Sequence, residues 1–104
     1  MNQVDNFEEE TNNLLQHLVA NRNQYFPNRL SAARICRELT KGRPNRRMKM
    51  NRRKLLRFSV ARSVRITDNR VISRATDLFM KTATHPEKVQ YKILAEQVNA
   101  IINN

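Results

Sequence analysis

Apolar positions recur at helical intervals along most of the chain, and no segment alternates as a strand would. Phe7, Leu14, Leu15, Leu18 and Val19 form a first stripe, and Asp5 with Glu8, Glu9 and Glu10 cluster at its start, where carboxylates complement the positive end of a helix dipole. The spacing predicts a helix over 6–20. So narrow a stripe does not hold a lone helix together in water, so this one must dock on something. Asn21 to Asn28 reads as a loop, with Tyr25 and Phe26 available as a hydrophobic anchor. Ser31 then caps a short second helix in which Ala32, Ile35, Cys36 and Leu39 follow i, i+3, i+4, i+7 spacing. Lys41-Gly42 stops it, the glycine tolerating a left-handed turn.

Arg43-Pro44 restarts the chain in extended form, because the residue before a proline avoids helical dihedrals. Pro44 or Asn45 opens a helix expected to run to 61–63. Thr67-Asp68-Asn69 is a capping cluster for a helix over 68–82, with Ile72, Ala75 and Phe79 on one face and Leu78 and Met80 beside them. Thr84 and Glu87 make a capping box with Pro86 in the first turn. The last helix turns Tyr91, Leu94, Ala95, Val98 and either Ile101 or Ile102 inward. The fold class is therefore all-α, in two parts: an N-terminal helical extension over 1–42 and a helical domain over 43–104.

Charge changes this picture more than composition does. The chain of 104 residues carries a formal net charge of +11, the footprint of a nucleic-acid binder. It is unevenly spread: residues 1–28 hold Asp5, Glu8, Glu9 and Glu10 against Arg22 alone, and the excess is positive from Arg29 onward. The densest stretch contains Lys41, Arg43, Arg46, Arg47, Lys49, Arg52, Arg53, Lys54 and Arg57, with Met48 and Met50 in its middle and Leu55, Leu56 and Phe58 after them. A pure charge run reads as a solvated tail; this one is interleaved with apolar residues and so reads as a folded basic face. Met48 and Met50 are two apart and do not share a helical face, so at least one points away from the core.

Other chemistry finds little support. The single glycine and three prolines argue against a turn-rich β fold. Lone Cys36 cannot make an internal disulfide and sits on an apolar stripe, as a small buried hydrophobe would. No apolar run is long enough to span a bilayer, and the acidic start resembles no signal or transit peptide. His17 and His85 are far apart, no Cys/His set has zinc spacing, and no glycine-rich phosphate loop is present. The expectation is an intracellular binding protein with no cofactor, no metal and no enzymatic activity.

The order from Arg43 onward resembles the high-mobility-group (HMG) box, in particular the divergent boxes of fungal mating-type-like proteins. Ile72-Ser73, Thr84-x-Pro86-Glu87-Lys88 and Tyr91-x-x-Leu94-Ala95 carry the likeness, over roughly residues 43–102. The resemblance implies three helices in an L, minor-groove binding to double-stranded DNA, an apolar wedge between base pairs and a bend toward the major groove. It also implies a nuclear transcriptional regulator, with which the basic run is compatible as a localisation signal. The DNA contacts implied are Arg43, Asn45, Arg46, Arg47, Met48, Lys49, Arg52, Arg53, Arg70 and Arg74, with Met48 as wedge. Two registers stay open. With one residue deleted relative to the family, Asn45 meets the bases and Met48 wedges; without it, Arg46 and Lys49 take those positions. The first is preferred because lysine does not wedge between stacked bases. The chain also lacks the family's helix-2 tryptophan, leaving Met80 or Phe79 to fill that core position.

Two rival readings remain open: a helical RNA-binding or ribosome-associated protein without a wedge, and a degenerate box used as a protein-interaction module that docks a partner through residues 1–40. A homeodomain-like reader is disfavoured, because the last helix holds only Lys88 and Lys92 against Glu87 and Glu96.

Overall fold

The computed structural model describes residues 3–41, 49–65 and 68–103, with side chains from residue 6 onward. It consists of α1 (Gln3–Ala20), a 3-10 turn (Arg22–Gln24), α2 (Ala32–Leu39), α3 (Arg52–Ser63), α4 (Asn69–Lys81) and α5 (His85–Ile102), with no strand among the described residues.

Helix boundaries follow local caps. Ser31 Oγ accepts from the Arg34 N–H at 3.2 Å, Asn51 Oδ1 from Lys54 at 2.9 Å and Asp68 Oδ1 from Arg70 at 2.9 Å. Thr84 and Glu87 complete the capping box in both directions, at 3.3 and 2.8 Å. Two expectations change. Helix α1 begins at Gln3, so Glu8 to Glu10 lie beyond its first turn and are exposed, with little of the dipole to complement. Helix α3 begins at Arg52 rather than at 44–45, and Lys49 to Asn51 are not helical. The reason lies at the far end of α5. Asn99 holds both backbone groups of Met50, accepting from its N–H at 2.6 Å and donating to its carbonyl at 2.8 Å. Those groups are thereby withdrawn from any helical ladder, and Met50 buries its side chain.

Helix α3 packs against both α4 and α5, while α1 lies on α4 and α2 on α5. Arg53 opposite Asp77 and Arg57 opposite Ser73 make α3 and α4 antiparallel. Phe7 near Arg70 and Arg22 near Thr82 make α1 and α4 parallel. The principal extents are 50 × 31 × 17 Å.

The core is a single cluster that draws on every helix. Leu14 and Leu18 dock α1, as its narrow stripe required. At the centre, Phe79 meets Tyr25 edge-on at 5.8 Å and Phe26 at 5.0 Å, and Phe26 meets Tyr91 at 5.3 Å. Phe79 is fully buried and Met80 nearly so. The Tyr91 hydroxyl donates to the Tyr25 carbonyl, and its burial pushes its pKa well above the usual tyrosine value, keeping the phenol protonated. Cys36 is buried and its thiol pKa is raised by desolvation, consistent with an inert core position.

The N-terminal helices therefore share one core with the rest. Phe26→Ala is expected to cost about 3–5 kcal/mol. Urea unfolding followed by circular dichroism should still give one transition, with α1 and α2 lost together with α5; two separable transitions would mean that the halves fold independently.

Candidate nucleic-acid interface

Among the described residues, five acid–base pairs sort the cations. Arg22 pairs with Glu87 and also donates to Thr82. Arg62 and Arg34 share Glu38, Arg53 pairs with Asp77, and Arg70 with Asp68. Of the expected contacts, Arg70 is directed toward α1: its guanidinium stands 5.5 Å from the Phe7 ring centre as well as beside Asp68. Arg74 projects elsewhere, into a cleft with Arg52 and Arg53. Lys49 is exposed, and its carbonyl accepts from Lys54 Nζ at 3.2 Å. Arg43, Asn45, Arg46, Arg47 and Met48 lie outside the described residues.

Lys54 and Arg57, not among the expected contacts, head the most suggestive surface. They stand over a groove of about 490 Å³ between α3 and α4, with Asn69 and Ser73 on its other wall. Its floor is apolar, from Met50, Phe58 and Ile72, and Arg57 donates to Ser73 across it at 3.2 Å. Antiparallel α3 and α4 bring these residues together, and sequence reasoning had no warrant for pairing them before both helix starts were known. Ile72-Ser73 was the one available signal. A small depression lined by Arg53, Lys54, Arg57, Thr76 and Asp77 continues the groove along the helix pair.

A further concavity, of about 720 Å³, lies between α1 and the end of α3. Glu10 and Asp68 face Arg65 and His17 there, a mixed lining that suits a polyanion poorly. Among the described residues no His, Cys, Asp and Glu are grouped to hold a metal ion, and no helix is long and apolar enough to cross a membrane. Comparison with protein-family models, with curated proteins and with solved structures gives no match. The chain is thus an all-helical protein with a strongly basic α3–α4 face.

The acid–base pairs set a pH limit on this arrangement. Hydrogen bonds from Arg62, supported by Arg34, hold the Glu38 carboxyl below its ordinary value, and those from Arg70 do so for Asp68. Burial raises Glu87, but the Thr84 N–H and Arg22 outweigh it, leaving a net lowering. With folded pKa values depressed, the unfolded chain binds more protons, so stability is full above about pH 5 and declines as pH falls through and below about 4. Urea midpoints measured from pH 7 to pH 3 should fall monotonically, and Glu87→Gln should lower the midpoint at pH 7 while flattening the acid decline.

Proposed function

We propose that this protein binds double-stranded DNA as an HMG-box-like architectural regulator acting in the nucleus, with α3, α4 and α5 as the three helices of the box. The observation that carries the reading is the α3–α4 groove, in which Lys54 and Arg57 flank an apolar floor at the exit of the basic run 41–49. Cations on the rim suit phosphates, while Asn69, Ser73 and the apolar floor suit a groove surface. Arg43, Arg46, Arg47 and Lys49 would add phosphate contacts, and Asn45 could donate to minor-groove acceptors. Met48 is the proposed wedge, unbranched and polarisable. Unstacking a base step costs a few kcal/mol, offset by contacts that a bent duplex brings into reach.

Docking of a protein partner on residues 1–40 has less behind it, since Leu14, Leu18, Tyr25 and Phe26 are all occupied inside the fold. An RNA-binding protein without a wedge shares the charge argument and separates from the DNA reading only by experiment.

The test is a salt-series titration against an A·T-rich duplex, a four-way junction and a structured RNA, with fluorophores on the duplex ends. The expected result is tighter binding to the junction and duplex bending that Met48→Ala diminishes. Lys54→Ala/Arg57→Ala should reduce the slope of log affinity against log salt by roughly two. Equal affinity for all three nucleic acids with no bending would sink the HMG-box reading in favour of nonspecific or RNA binding.

A further inference from the structure

Among the described residues three large hydrophobic side chains are exposed, and two of them, Ile93 and Ile101, stand on the outer face of α5. Steps of three and four residues put Pro86, Val89, Ile93, Gln97 and Ala100 in one row along that face. All but the half-buried Val89 are exposed, while Tyr91, Ala95 and Val98 form the opposite, buried face of the helix. The row lines neither the α3–α4 groove nor its continuation, and none of the proposed DNA contacts is on α5.

Scattered exposed isoleucines need no partner. The charges beside this row are the second observation. Lys92 and Glu96 flank it on one side, both exposed, and neither is in an ion pair with a described residue. When two copies of α5 lie antiparallel about a two-fold axis at Ile93, Ile93 meets its own counterpart, Val89 meets Gln97 and Pro86 meets Ala100. The two-fold keeps each flank of the row on the same side in both copies. Lys92 therefore stands across from Glu96 of the second copy, offset by about 3 Å along the axis, and the pair occurs twice. The row is thus complementary to itself in apolar pattern and in charge. Net charge selects the same face: a chain carrying +11 repels its own copies, and on this face one acid balances one base.

We infer that the outer face of α5 is a self-association surface whose partner is a second copy of this chain. One helix face buries less than the roughly 1,200 Å² in total that a stable interface needs. Pairing is therefore weak in the free protein and strengthens where one duplex holds two copies side by side. The surface stands on α5 alone; only that strengthening rests on the DNA reading of the groove.

The experiment follows disulfide cross-linking of full-length Ile93→Cys protein under oxidised glutathione. Cys36 is buried, and the control Val19→Cys carries it as well. Rates are normalised to each thiol's reaction with a small neutral disulfide, and folding is checked by circular dichroism. Ile93→Cys should form dimer about tenfold faster than Val19→Cys, an equally exposed position on α1. In the Ile93→Cys protein, Lys92→Glu and Glu96→Lys should each slow the reaction about threefold, although they shift net charge in opposite directions. The double exchange Lys92→Glu/Glu96→Lys should restore it, which a merely sticky surface would not do. An A·T-rich duplex long enough for two copies should accelerate it further. Equal rates for Ile93→Cys and Val19→Cys overturn the inference, and so does a double exchange that restores nothing. Cross-linking that follows the expected pattern but gains nothing from the duplex supports the α5 surface and counts against the DNA reading instead.

Discussion

The contact between Tyr91 and the Tyr25–Phe26 corner is the constraint on which the rest of this molecule depends. The segment between α1 and α2 carries two aromatic rings into the space between α4 and α5, and Phe79 and Tyr91 close around them. The Tyr91 hydroxyl then ties down the Tyr25 carbonyl, so a buried backbone acceptor that a loop would leave unpaired is satisfied. Asn28 extends the same knot, donating to Ser59 Oγ at 2.8 Å and more weakly to Tyr91. Arg22 lies over the Phe26 ring and pairs with Glu87 at the start of α5. In a chain with no tryptophan, aromatic area contributed by the N-terminal segment takes over much of what one large ring would supply.

This arrangement has a consequence for the basic surface. The first forty residues cover faces of α4 and α5, and Leu39 of α2 also borders the α3–α4 groove where Lys54, Arg57 and Ser73 stand. Glu38 of α2 reaches across to Arg62 with bonds of 2.8 and 2.9 Å, and Arg22 is likewise neutralised. Glu38, Asp77 and Glu87 are each placed against an arginine from another part of the fold. Among the described residues, cations outside any ion pair are left on α3, α4 and α5, and also at Arg29, Arg37, Lys41 and Arg65. Uncompensated cations on a thin, open helical layer attract polyanions through counterion release, whatever the sequence being bound. Specificity would have to come from the apolar floor of the groove and from the residues that precede α3.

Helix type, number and most ends were legible in the amino-acid sequence, because they are local properties. Ser31, Asp68 and the Thr84/Glu87 box announce their helices through hydrogen bonds made within one turn, and all of them act as caps. The apolar stripes of α2, α4 and α5 likewise identified buried residues such as Ile35, Phe79 and Tyr91. The start of α3 was not legible. Asn51 is as good a cap as Asn45 by residue type, and the choice between them was made by Asn99, half a chain away, binding the Met50 backbone. Nor was the division of the arginines legible. Arg53, Arg70 and Arg74 look alike in a basic sequence, and only the antiparallel pairing of α3 with α4 and the docking of α1 assign one to Asp77, one to Phe7 and Asp68, and one to an open cleft. The sequence by itself thus determined the helices and the excess of positive charge. Which cations meet solvent together is a matter of long-range packing, and that was decided only by the tertiary structure.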